Sequence, residues 1–309
     1  METVLPFLAR QIKELLVCLP LHVQEEIEEI RLRVSRPVEI CAGGQPHFLP
    51  YVFTKSDADQ FISKLGNHSF YTLDEELQKG YITIAGGHRI GLAGKVILEN
   101  GSVKAIRHVA SFNIRIAREK IGIAKSYLPF LYEHGWKNTI IIGPPQTGKT
   151  TLLRDIARLA SMGMDDRNIP AVKVGIVDER SEIAGCVHGT PQLQFGPRVD
   201  VLDACPKAEG MMMLIRSMSP ELLIVDEIGR PEDSEAILEA VNAGIRLVMT
   251  THGRDFQEIK KRPILQPIIE QQVFERVIQL SGENKRGKMS AVMDGSGFPL
   301  HKKGGLVIC

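Results

Sequence analysis

The run Gly143-Pro144-Pro145-Gln146-Thr147-Gly148-Lys149-Thr150 fits the pattern GxxxxGK[ST] in full, with the apolar stretch 139–142 before it and the amphipathic stretch 150–162 after it. A loop of backbone N–H groups at a helix N-terminus wraps phosphate oxygens, because the amides and the helix dipole both favour anions. Residues 143–151, through Thr151, are therefore the expected nucleotide contacts. Gly148 lets the backbone approach closely, Lys149 reaches toward the β- and γ-phosphates, and the Thr150 hydroxyl ligates Mg²⁺. The chemistry implied is binding and hydrolysis of Mg-ATP; no guanine-reading NKxD segment is present.

Leu222-Leu-Ile-Val-Asp226-Glu227 is an apolar strand that delivers two carboxylates at its end. Beside a phosphate loop, Asp226 is the expected metal partner and Glu227 the general base, whereas alone such a pair would only cap the next helix. A second strand end, Asp178-Glu179-Arg180, points to the same edge if the sheet is parallel. It adds a carboxylate to the metal's water shell or is an ordinary surface pair, and Glu179 is counted with the catalytic residues. Thr250, Thr251 and His252 end another apolar strand, read as the fourth parallel one, with polar groups suited to sensing the γ-phosphate. The same half offers no obvious base for that phosphate beyond Lys149. An arginine finger is therefore sought in Arg89, Arg107, Arg115 or Arg118, each of which also suits a surface or ion-pair role.

These residues need a scaffold. Apolar strands at 139–142, 172–177, 222–225 and 246–250 alternate with helices at 150–162, 208–217 and 233–242, a pattern that implies a parallel sheet covered on both faces. Ligands in such sheets bind beyond the carboxyl ends of the strands. Residues 274–281 and 289–293 around 282–288 read as a further hairpin. The front half differs in character. It shows one helix over 3–19 stopped by Pro20, short strands at 29–34 and 37–42, and a helix at 56–65. Strands at 81–84, 89–98 and 102–108 follow, with Asn100-Gly101 as a tight turn. The boundary falls near Arg118, giving a smaller α+β domain over 1–118 and a phosphate-loop domain over 119–309.

Composition bounds the partners. With 309 residues, two domains are the default; a net charge of +1 and the absence of an aromatic-plus-basic stripe give no strong nucleic-acid signal. Cys18, Cys41, Cys186, Cys205 and Cys309 lack paired spacing, which suits reduced cytosolic thiols rather than disulfides or zinc. The apolar run 15–23 is too short to span a membrane and holds Pro20, so a cytoplasmic chain with no transmembrane segment is expected.

In order, the phosphate loop, the Asp178-Glu179 strand end, the run from Leu214 to Gly229 and Val248-Met-Thr-Thr-His252 resemble the Walker A, Asp box, Walker B and His box of type II/IV secretion and pilus ATPases. Ile30-Arg-Leu-Arg-Val-Ser-Arg-Pro-Val38 and Val177-Asp-Glu-Arg-Ser-Glu-Ile183 resemble the sporulation members of that class. The resemblance implies an α/β fold, with a C-terminal RecA-like P-loop NTPase domain on a largely parallel sheet and a smaller N-terminal domain. It also implies a homohexamer whose ATP turnover energises membrane-embedded sporulation channel proteins, peripheral to the membrane on the mother-cell side facing the forespore. The secretion ATPases usually carry Gly-Glu where this chain has Asp226-Glu227, and Arg230 falls one place later than their arginine. A nucleic-acid-stimulated RecA-like translocase and an ATP-binding switch without turnover are the rival readings.

Overall fold

The computed structural model describes residues 1–66, 80–99, 101–280 and 289–302. They form two compact units, Met1–Arg118 with Gly185–Gln192, and Glu119–Ala184 with the chain from Leu193 onward. The predicted turn residue Asn100 and the loop 282–288 lie outside the described residues.

The first unit is a six-stranded antiparallel sheet, β1 (Ile27–Arg33), β2 (Arg36–Ala42), β3 (Gln45–Phe53), β4 (Tyr81–Ile84), β5 (His88–Glu99) and β6 (Ser102–Arg115), in the order β3-β2-β1-β6-β5-β4. Among the described residues, three α-helices accompany it: α1 (Arg10–Val17), α2 (Leu21–Glu26) and α3 (Lys55–Gly66). The single helix expected over 3–19 is broken. Pro6 fits only the first turn of a 3-10 helix, Leu5–Phe7, after which Leu8 (ψ 155) and Ala9 (ψ 149) are extended and α1 begins anew. The break still buries Val4, Leu8, Ile12 and Leu16 in one core with Phe53, Phe61 and Phe112. Strand β3 escaped prediction because Pro46 and Pro50 argue against a strand; both are tolerated because β3 is an edge.

The second unit carries an eight-stranded sheet made of β7 (Thr139–Gly143), β8 (Val174–Asp178), β9 (Val199–Asp203), β10 (Leu222–Val225), β11 (Arg246–His252), β12 (Arg276–Leu280), β13 (Met289–Asp294) and β14 (Pro299–Lys302). The order is β14-β13-β12-β7-β11-β10-β8-β9, parallel from β12 to β9, with β13 and β14 antiparallel. Its helices are α4 (Leu128–Leu131), α5 (Lys149–Met162), α6 (Lys207–Ser217), α7 (Pro231–Asn242), α8 (Phe256–Lys260) and α9 (Gln266–Glu270). Alternation along β7 sends Ile141 to a core shared with Leu152 and Ile156 of α5, while Ile140 and Ile142 join Met211 of α6 and Ile237 of α7. Both faces are therefore covered, as the apolar runs imply. Strand β9 was not foreseen: it is an edge, half-buried along its length and interrupted by Asp200, so it lacks a continuous apolar run. Consequently β11, expected as the fourth parallel strand in chain order, is the fifth. Among the described residues, no helix is long and apolar enough to cross a membrane.

Candidate functional site

Register determines what converges. Gly143 pairs with His252, Val225 with Met249 and Val225 with Val177, so the ends of β7, β11, β10 and β8 reach one carboxyl edge. The turn after β7 leads through Pro144, Pro145, Gln146 (φ 64) and Thr147 to Gly148 (φ 90), the N-cap of α5. The left-handed φ of Gly148 suits a residue without Cβ. At Gly143 space is limiting instead, since a Cβ there would lie 2.5 Å from Thr147 Oγ1. Thr147 Oγ1 itself donates to Pro144 O at 2.8 Å and closes the turn. The next residues, Lys149, Thr150 and Thr151, form the first turn of α5.

Lys149 is 5% exposed and folds back over the loop, donating to Gly143 O at 2.8 Å and to Pro144 O at 3.0 Å. Its Nζ is also 3.1 Å from His252 Nδ1. An ammonium only donates, so Nδ1 accepts and the hydrogen on the other ring nitrogen faces Glu227, with His252 Nε2 2.7 Å from Glu227 Oε1. Burial lowers the Lys149 pKa, partly offset by the charges of Asp226 and Glu227.

Asp226 is held by two hydroxyls, one from the first turn of α5 and one from β11. Thr150 Oγ1 donates to Oδ2 at 2.6 Å, and Thr250 Oγ1 donates to Oδ1. The same Thr250 oxygen accepts the backbone N–H of Glu227 at 2.8 Å. That bond helps hold Glu227 in the left-handed region (φ 55), a conformation uncommon for a non-glycine residue. Glu227 Oε2 lies 3.0 Å from Arg180 Nη1, so both carboxylate oxygens are engaged. The donor set suits Mg²⁺, a hard cation that takes few protein oxygens and leaves the rest to water and phosphate. Among the described residues, no group of three or more His, Cys, Asp or Glu is arranged to hold a metal ion.

The acidic end of β8 splits into two roles. Asp178, read with Glu179 as a carboxylate for the metal's water shell or as an ordinary surface pair, is not a surface residue. It is 2% exposed, and its oxygens accept the N–H groups of Glu182 (2.8 Å), Ile183 (3.0 Å) and Ala184 (2.8 Å). Burial pushes its pKa up to about 6, outweighing the three amide donors. Arg154 of α5 clamps the same turn, donating to Ile183 O at 2.6 Å and to Glu182 O at 2.8 Å, and burial lowers its pKa. Glu179 faces the cleft that Arg180, Lys207, Asp226 and Glu227 also line. Its carboxylate binds Lys207 Nζ and lies 3.3 Å from Arg230 Nη1.

The structure thus brings Lys149, Thr150, Asp226, Glu227 and His252 into one connected group, with Glu179 in the adjoining cleft. Arg180, Lys207 and Arg230 ring the two glutamates, adding basic side chains of this half to the neighbourhood of Lys149. Sequence position gave little sign of Lys207, which lies 28 residues from its partner Glu179. Three of the front-half arginines have local partners: Arg89 stacks 3.5 Å over Tyr81, Arg115 is 3.6 Å from Glu29, and Arg118 donates to Ile27 O at 2.6 Å.

Comparison with solved structures matches this topology to the ATPase DotB and to a pilus retraction motor. The Yersinia pseudotuberculosis ATPase DotB superposes with a TM-score of 0.59 at 13% identity, over 88% of this chain and 76% of that one. The pilus retraction motor PilT, solved with bound ADP, gives 0.57 at 16% identity, over 83% and 75%. At these identities the likeness establishes the fold, a RecA-like P-loop domain preceded by an antiparallel α+β unit. Stage III sporulation protein AA of Bacillus subtilis (strain 168) is 55% identical over 309 residues and 100% of both chains. The family model described as sporulation stage III, protein AA matches residues 1–300. The chain belongs to the sporulation stage III protein AA family.

Proposed function

We propose that this chain is an ATPase that hydrolyses Mg-ATP, with residues 119–309 as the catalytic domain and 1–118 as the smaller one. The observation that carries the reading is the continuous set of bonds joining Lys149, His252, Glu227, Thr250, Asp226 and Thr150 at the mouth of the phosphate loop. In this reading residues 143–151 receive the phosphates, and Lys149 exchanges its loop carbonyls for phosphate oxygens. Thr150 and Asp226 hold Mg²⁺, which supplies charge neutralisation as the terminal phosphoryl group departs. Glu227 takes a proton from the attacking water, and His252 links its carboxylate to the lysine that feels the γ-phosphate. Glu179 acts from the side, fixing Lys207 and Arg230 at the rim.

The family and the motor fold support a larger role, a homohexamer that energises a transenvelope channel between mother cell and forespore through membrane-embedded partners. Phosphate release by Lys149→Ala tests the catalytic half: turnover equal to the unaltered protein refutes it. Light scattering with and without Mg-ATP tests the ring, and a monomer under both conditions rules it out.

One observation favours the second reading, an ATP-binding switch. Both oxygens of Glu227 are already bonded, to Arg180 and His252, which leaves the base restrained. Single-turnover measurements separate the two. Tight ATP binding with no phosphate released by the intact protein selects the switch.

A further inference from the structure

We propose that the groove between α6 and α7 is a docking site for a basic amphipathic helix of a protein partner. These helices pack against each other and turn Met211, Leu214, Ile237 and Ala240 into the core. Their other flanks enclose an open groove of about 1030 Å³. Met212, Met213 and Leu238 supply its apolar lining, and Met213 remains 51% exposed. Methionine adapts its shape to a partner's side chains, which suits a surface that receives another helix. Rows four residues apart, Ala208-Met212-Arg216 on one wall and Glu232-Ala236 on the other, present the ridges and grooves into which a third helix packs.

Charge identifies the occupant. The walls carry Glu209, Glu232, Glu235 and Glu239 against the single base Arg216, all of them exposed. The chain as a whole has a net charge of +1, so this acidity is local rather than general. None of the four carboxylates has an ion-pair partner among the described residues. An apolar strip between carboxylate rows is complementary to a helix with an apolar stripe flanked by lysine or arginine, and charge repulsion selects against an acidic one.

The test uses full-length protein and a labelled synthetic peptide with leucines along one helical face and lysines on the other, followed by fluorescence polarisation at physiological salt. Saturable binding is expected, weaker by about tenfold or more for a peptide of the same composition in scrambled order. Met213→Glu, and separately the double substitution Glu235→Lys with Glu239→Lys, are expected to weaken binding by a similar factor. These positions are exposed, and an unchanged thermal melt confirms that the variants fold. Equal binding of the scrambled peptide, or undiminished binding by both folded variants, overturns the proposal. So does a loss of self-association in Met213→Glu, seen by light scattering with no change in peptide binding, which assigns the groove to a second copy of the chain.

Discussion

At the residue scale, the central hub is a threonine. Thr250 is fully buried, donates to Asp226 and accepts from the Glu227 amide, so one hydroxyl sets both carboxylates. Thr250→Val keeps the shape and removes the hydroxyl. Supporting groups of this kind are worth about 10–100-fold in metal affinity or activity. Phosphate release titrated with Mg²⁺ is therefore expected to show a lower maximum, a higher half-saturating Mg²⁺ concentration, and an intact fold. Asp178→Ala is expected to behave in the opposite way. It strips the acceptor from three backbone amides in and beside a buried turn, at about 1–3 kcal/mol each, and so lowers the urea midpoint. Loss of activity without loss of stability in that variant would return Asp178 to the chemistry.

At the scale of elements, α6 meets the sheet at a glycine. A Cβ on Gly210 would lie 2.5 Å from Val177 Cγ1 and 3.1 Å from Cys205 Sγ, so Gly210→Ala forces α6 away from β8. Overpacking of this sort costs about 1–3 kcal/mol, and a fall in thermal midpoint is the expected readout. How far the elements were legible follows from how each is buried. Strands β7, β8 and β10 are buried on both faces and stand out as unbroken apolar runs ending in Gly143, Asp178 and Val225. The cradle and Asp226 could be located from those runs because the functional residues follow them directly. Edge strands β3 and β9 carry prolines or aspartates and so lack that signature. The bases around Glu179 and Glu227 were legible only in part. Arg180 and Arg230 stand beside the glutamates in sequence, whereas Lys207 arrives through tertiary packing of α6, which no local spacing encodes. The split of α1 from the preceding turn was hidden because a four-residue rhythm runs from Val4 to Leu16 across extended backbone.

For the whole molecule, the two units hold separate cores, and the first contains its own titrating group. His88 is 5% exposed, and its Nδ1 accepts the Ala117 N–H at 2.9 Å. Burial, with a smaller effect of the N-terminal ammonium, lowers its pKa from 6.5 to about 4. The folded state favours the neutral ring, so its contribution to stability is complete above pH 6.5 and is lost as pH falls from there through 4. Melting temperatures across that window are expected to fall further for the unaltered chain than for His88→Asn, which keeps an acceptor but cannot titrate; parallel curves would discount His88. The second unit has a different asymmetry. Strand β7 is hydrogen-bonded on both sides, to β11 and β12, so the floor beneath the phosphate loop is anchored within the sheet rather than at its margin. The beginnings of α6 and α7 are instead fastened through the side chains of Lys207 and Arg230 to Glu179. Rotating side chains is far easier than unzipping strands, so removing the Glu179 carboxylate loosens the starts of those two helices and leaves the bed beneath the loop as it is.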